Sequence, residues 1–192
     1  MSNKIAVIYG SVRKGRKGIG AAKYIVKKLN ERAAEGVLID PIEYKLPLLE
    51  KMYKSYGEGE APKVLQDLHE IFTESDGFIL VSAEYNHSIP PALSNLIDHF
   101  QAEFFFKPSG IVTYSAGSFG GVRATHQLRS ITGELGMPSI PAMLPIPKVQ
   151  DVFNEDGSLN DDAYERRTHR FLDEFDWYVE ALKTQRQKGT QY

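Results

Sequence analysis

The 192-residue sequence contains no cysteine, which excludes disulfides, cysteine-ligated metals and thiol nucleophiles. No apolar run approaches the ~20 residues that a membrane-spanning helix needs. Residues 1–10 run straight into a strand-like pattern, without the basic, apolar and small-residue succession of a secretory signal, so a cytosolic (cytoplasmic) protein is expected. Charge of one sign is lacking too. With 23 Lys and Arg against 25 Asp and Glu, the formal charge is -2, and no general attraction to nucleic acid or anionic membrane follows. What is present is an ordinary globular balance, 42% hydrophobic and 25% charged, at a length that one core can serve. A single domain over residues 1–192 is expected.

Short apolar runs alternate with stretches of helical spacing. The runs are residues 4–10, 36–44, 77–83, 109–116 and 139–146. Between the first two, Ala22, Ile25, Val26 and Leu29 share one helical face, and Gly36 stops the helix. Further amphipathic faces fall at Val64 to Phe72, at Leu93 to Phe100, and within residues 119–135 and 161–185. Strands that alternate with helices pair in parallel, because each helix returns the chain to the same end of the sheet. The expected fold is α/β, a doubly wound three-layer sandwich. Residues 45–61 and 147–160 break the alternation and read as excursions. The first places Leu46, Leu48, Leu49, Met52, Tyr53 and Tyr56 in a loop more apolar than a solvated one should be. Burial against a second subunit and packing onto the same chain would each account for it.

Ligands of open parallel sheets bind beyond the carboxyl ends of the strands, and three such ends are chemically loaded here. Residues 10–20, GSVRKGRKGIG, combine glycines, Ser11 and the cations Arg13, Lys14, Arg16 and Lys17 ahead of a helix. Exposed amides, a helix start and arginine forks suit a phosphate. The sequence lacks the Lys-Ser or Lys-Thr of a nucleotide P-loop, and GxGxxG is not present in order. Residues 82–98, SAEYNHSIPPALSNLID, put Tyr85 and Asn86 beside amides suited to the edge of a planar heterocycle, with Ser88 as a candidate helix cap before Pro90 and Pro91. Residues 115–124, SAGSFGGVRA, offer Gly117, Gly120 and Gly121 for close backbone approach, and Ser115, Ser118 and Phe119 as polar and aromatic cover for a flat ligand.

GSVRKGR (10–16), AEYNHSIPPALSNLID (83–98) and SAGSFGG (115–121) resemble the three flavin-binding loops of the NADPH-dependent FMN reductase family. The likeness spans about residues 4–146, and the EYN-x-S-x-P-x-x-L-x-N-x-x-D pattern is its most specific part. The resemblance implies a flavodoxin-like fold with a five-stranded parallel sheet in the order 2-1-3-4-5. It also implies noncovalent FMN, NADPH as hydride donor, and quinones, azo compounds, metal oxyanions or free flavin as acceptors, in ping-pong order. The phosphate would sit on Ser11, Arg13 and the loop through Gly18 and Ile19, with Arg16 as a further contact. Glu84, Tyr85, Asn86, His87 and Ser88 would lie beside the isoalloxazine, and Ser115, Gly117, Ser118, Phe119 and Gly120 would complete the pocket. Many members carry serine and asparagine where this sequence has Gly18 and Gly20. A homodimer or homotetramer with the flavin near the interface is implied as well.

The cofactor performs the redox step in such an enzyme, so no catalytic acid or base is expected. Two other classes remain open on the residues. AGSFG (116–120) approaches the nucleophile elbow of a serine esterase, with Ser118 as nucleophile and His126 or His169 and Asp151 or Asp173 as partners. A non-enzymatic flavin-binding or electron-carrier module would use the same scaffold without turnover. His69, His87 and His99 read as surface or core residues, and no pair has metal-ligand spacing.

Overall fold

The structure, a computed structural model, describes residues 2–191. Its elements are β1 (Asn3–Tyr9), α1 (Ile19–Asn30), β2 (Ala34–Ile39), α2 (Lys63–Glu74), β3 (Gly77–Ala83), α3 (Pro91–Asp98), β4 (Ser109–Tyr114), α4 (Val122–Glu134), β5 (Ser139–Ile146), α5 (Val149–Val152) and α6 (Ala163–Arg186). The strands form one sheet in the order β2-β1-β3-β4-β5. Every pairing is parallel.

Side chains alternate across a strand, and the two faces of the sheet carry two cores. Ile5, Val7, Ile79 and Val112 face α1 and α6, where Ile25, Leu29, Phe171 and Phe175 meet them. Ala6, Ile8, Phe78 and Leu80 face Leu68 and Phe72 of α2, Leu93 of α3 and Leu128 of α4. Because β3 is covered on both sides, all its residues are buried, which is why its sequence is a continuous apolar run instead of an alternating one. The winding reverses between β1 and β3, so a crevice opens at their carboxyl ends. No helix among the described residues is long and apolar enough to cross a membrane.

Three local departures from the pattern have clear causes. The second strand, expected over 36–44, runs Ala34–Ile39 and stops where Asp40 Oδ1 accepts the Ile42 N–H at 3.0 Å. The excursion at 45–61 divides its apolar residues. Tyr53 stacks on His69 with centroids 4.1 Å apart, and its N–H donates to His99 O at 2.8 Å. Leu46 and Tyr56 pack on the same core, whereas Leu48 is 80% exposed. The second excursion forms α5 and then a turn closed by a bridge between Phe153 and Leu159. That turn packs against the start of α1 so closely that a Cβ at Gly20 would overlap the Asn154 carbonyl.

Candidate functional site

At the carboxyl ends of β1, β3 and β4 lies a pocket of about 330 Å³, near the lower end of ordinary ligand pockets. Its first wall is the loop between β1 and α1. Residues 14, 15, 17 and 18 line it, and their backbone N–H groups find no acceptor in the protein. Such donors ahead of a helix form a concave anion seat. Ser11 is buried and its Oγ is hydrogen-bonded to Tyr85 OH at 2.9 Å, while the Arg13 guanidinium lies 5.6 Å from the Tyr85 ring centroid. The first and second loops are thereby tied together.

Arg16 turns inward. Its Nη1 donates to Asp40 Oδ1 at 2.6 Å and to Ser11 O at 2.7 Å, and its Nη2 pairs with Asp40 Oδ2. Burial is the largest single influence and opposes the Arg16 charge, but the hydrogen bond and the charge of Asp40, with smaller contributions from Tyr9 and Tyr114, together outweigh it and raise its pKa. Lys17 is likewise paired, with Glu155 at 2.6 Å. Of the four cations in the loop, Arg13 and Lys14 therefore remain without a carboxylate partner.

Beneath the loop, Tyr114 OH donates to Tyr9 OH at 3.0 Å. Burial raises the pKa of both phenols, so both stay neutral under an anion seat. The Tyr114 ring occupies the space where a side chain at position 18 would stand, and an added Cβ there would overlap it. Glycine at positions 18 and 20 is thus accounted for by what packs against each of them, the Tyr114 ring and the Asn154 carbonyl.

The second loop is a tight turn in which Tyr85 and Ser88 exchange both backbone hydrogen bonds at 2.9 Å. Asn86 and His87 take φ values of 51° and 62°, the left-handed pair of a type I′ turn. Their N–H groups make no hydrogen bond to the protein, whereas that of Ser88 is engaged with Tyr85. Ser88 does not cap α3 either, because the helix starts after Pro90 with no side-chain cap. Glu84 faces the pocket but is anchored, its carboxylate accepting the Arg123 N–H at 3.0 Å and Arg123 Nη1 at 3.2 Å. This joins the second loop to the start of α4.

In the third loop, Ser115 Oγ donates to Gly117 O at 2.9 Å and accepts the Gly120 N–H at 2.9 Å, so this hydroxyl shapes its own loop. Phe119 is 64% exposed with the Arg123 guanidinium 4.6 Å from its ring centroid. The pocket gathers Ser11, Arg13, Arg16, Gly18, Glu84, Tyr85 and Ser115; Ile19 and the loop tips at 86–88 and 117–120 are not among its walls. Tyr114, Val149 and Gln150 do line it, and the sequence had not suggested them. Gln150 donates to Ala116 O at 3.3 Å, so α5 braces the third loop. The esterase constellation is not assembled: Ser118, His126 and His169 share no hydrogen bond, and His169 instead contacts Arg32 and Glu165. No metal-binding cluster of His, Asp and Glu occurs among the described residues.

A family model described as NADPH-dependent FMN reductase matches residues 3–151. A quinone reductase from Pseudomonas putida is 30% identical over 181 residues, covering 89% of this chain and 89% of that protein. An FMN-dependent NADPH-azoreductase from Staphylococcus aureus is 27% identical over 176 residues, covering 90% of this chain and 93% of its own length. Among solved structures, FerB of Paracoccus denitrificans, a flavoenzyme NAD(P)H:(acceptor) oxidoreductase, superimposes with a TM-score of 0.74 at 24% identity, covering 93% of this chain and 98% of that one. A flavodoxin mutant from Pseudomonas aeruginosa gives a TM-score of 0.58 at 18% identity, covering 92% of this chain and 99% of that one, a likeness of fold.

Proposed function

Since this chain belongs to the NADPH-dependent FMN reductase family, we propose that it is an oxidoreductase that holds FMN in this pocket and passes electrons from NADPH to small acceptors such as quinones and azo compounds, with metal oxyanions or free flavin as further candidates. The observation that carries the placement is the set of unpartnered amides at residues 14, 15, 17 and 18, which line the same pocket as Ser11, Arg13 and Tyr85. A terminal phosphate fits such a seat better than a bridging pyrophosphate does.

FMN supplies, when bound, the hydride and electron chemistry that the side chains here do not. The protein's share is to bind, orient and exclude water. Ser11, Arg13 and the loop amides would hold the phosphate. Tyr9 and Tyr114, kept neutral by burial, put no negative charge beneath it. The free N–H groups of Asn86 and His87 would serve the edge of the planar ring, and the 115–120 loop would stand on its other side. Glu84 is the one carboxylate among the pocket walls, and Arg123 holds it, so no general acid or base is assigned. NADPH and the acceptor would occupy the same open side in turn, a ping-pong sequence. A cytoplasmic location goes with this role, because NADPH has to be replenished.

Titration of the cofactor-free protein with FMN, FAD and riboflavin tests the placement, and equal affinity for FMN and riboflavin would refute it. Initial rates of NADPH oxidation against a quinone test the order, with parallel reciprocal plots expected and converging ones excluding ping-pong.

The same proposal assigns a second subunit to the apolar groove between the end of β2 and α3. Val12 and Leu48, 51% and 80% exposed, stand at a groove that Pro41, Leu46, Pro91 and Leu96 also line. A closed two-fold dimer, or a tetramer of two such dimers, would cover them. Sedimentation at micromolar concentration should show the oligomer, and Leu48→Asp should dissociate it; a wild-type monomer with full activity would end the assignment.

A further inference from the structure

We infer that Asp40, at the end of β2, is the positioning residue of the phosphate loop, and that Arg16 is the strut through which it acts and not a phosphate ligand. The inference rests on the loop being a phosphate seat, as proposed above. Arg16 would otherwise be an obvious ligand, since it lies in the loop and lines the pocket. Both donors of its Nη1 and one of its Nη2 are already engaged, however. Both terminal nitrogens hold the Asp40 carboxylate in the planar fork that guanidinium and carboxylate favour, and Nη1 also holds Ser11 O. The guanidinium covers the Tyr9 ring at 5.1 Å, and the side chains of Arg16 and Asp40 are 15% and 5% exposed. Swinging Arg16 out to an anion would strand the carboxylate in the protein interior, where an unpaired charge is strongly disfavoured.

The geometry explains what the pair does. β1 and β2 are hydrogen-bonded neighbours, with Ile8 beside Ile39, so Ser11 and Asp40 leave the sheet at one edge. Arg16 grips both departures from within. The intervening residues are thus closed into a short loop that turns at Gly15, with φ 68°, and leaves the amides of pocket-lining residues 14, 15, 17 and 18 without an acceptor in the protein. Gly18 against Tyr114 fixes the far end. An unbound loop that already has this shape loses less conformational freedom when the anion arrives. The charge meeting the phosphate is then that of Arg13 and Lys14.

The two roles for Arg16 predict opposite effects. If Asp40 is a positioning residue, Asp40→Asn weakens FMN about 10- to 100-fold while riboflavin affinity stays within about threefold, measured by quenching of flavin fluorescence. If Arg16 is a ligand restrained by Asp40, the same change frees it and tightens FMN, which overturns the inference. Equal loss for FMN and riboflavin also overturns it, because a general lesion of the fold would act on both. Arg16→Lys keeps the charge but not the fork, and provides a second measurement should Asp40→Asn fail to fold. It should weaken FMN at least tenfold with riboflavin little changed, and near wild-type FMN affinity would refute the strut. Wild-type protein that does not distinguish FMN from riboflavin would remove the phosphate seat itself, an outcome separable from failure of the variants.

Discussion

Lys107 is a cation placed almost entirely inside the protein, 8% exposed, and its titration should be visible in the stability of the whole fold. Its Nζ donates to Phe72 O at 2.7 Å and Thr73 O at 2.9 Å, two carbonyls of the last turn of α2. Burial, followed by the nearby charge of Arg186, pushes its pKa down to about 8, against the opposing pull of Asp76 and Glu103. An unfolded lysine titrates near ~10.4. Between these two values the unfolded chain binds more protons than the folded one, so stability rises with pH across that window. At ~1.36 kcal/mol per pK unit the full effect is about 3 kcal/mol, of which about 2 kcal/mol develops between roughly pH 7.5 and 9.5. Buried tyrosines act with the opposite sign, Tyr24 being raised to about 12, but only once the pH passes the unfolded tyrosine value of ~10. The assay is urea unfolding of wild type and Lys107→Met at both ends of that range. With a slope of about 2 kcal/mol per molar urea, the wild-type midpoint should gain about 1 M relative to the variant. The variant also loses the two carbonyl contacts, but that offset is the same at each pH. A wild-type minus variant difference that does not change with pH would refute the argument.

Arg13→Ala should weaken FMN by about 1.5–3 kcal/mol, the usual value for a hydrogen bond to a charged group, with riboflavin hardly affected; isothermal titration of both ligands decides it, and parallel losses would move the phosphate elsewhere. Gly18→Ala should force the Tyr114 ring aside, destabilising the protein by about 1–3 kcal/mol as an overpacked core does, and an unchanged melting temperature would mean that the ring has room to yield. Ser118→Ala should retain most NADPH oxidation, whereas abolition of that activity with flavin still bound would show that this hydroxyl does more than the site geometry assigns to it.

Much of this protein was determined locally. The apolar runs and helical faces specify strands and helices because burial acts on residues two or three to four apart, and β3 shows it in its unbroken apolar sequence. The glycines, Ser11 and Arg13 at one strand end, and Tyr85 at another, could be read from the sequence as candidates for the proposed site, because their donors and backbone freedom belong to the residues themselves. Tertiary structure decided the rest. Nothing near Asp40 in the chain indicates that it grips Arg16, 24 positions earlier; that depends on β1 and β2 lying side by side in one register. Tyr9 and Tyr114 read as strand residues until β1, β3 and β4 bring their hydroxyls within 3.0 Å beneath the loop. Gln150 enters the pocket because α5 folds back over the third loop. In the apolar excursion, composition could not separate Tyr53, which stacks on His69, from Leu48, which remains in solvent. Periodicity reports only that a side chain is to be covered, while the element that covers it is set by crossovers joining parts of the chain far apart in sequence.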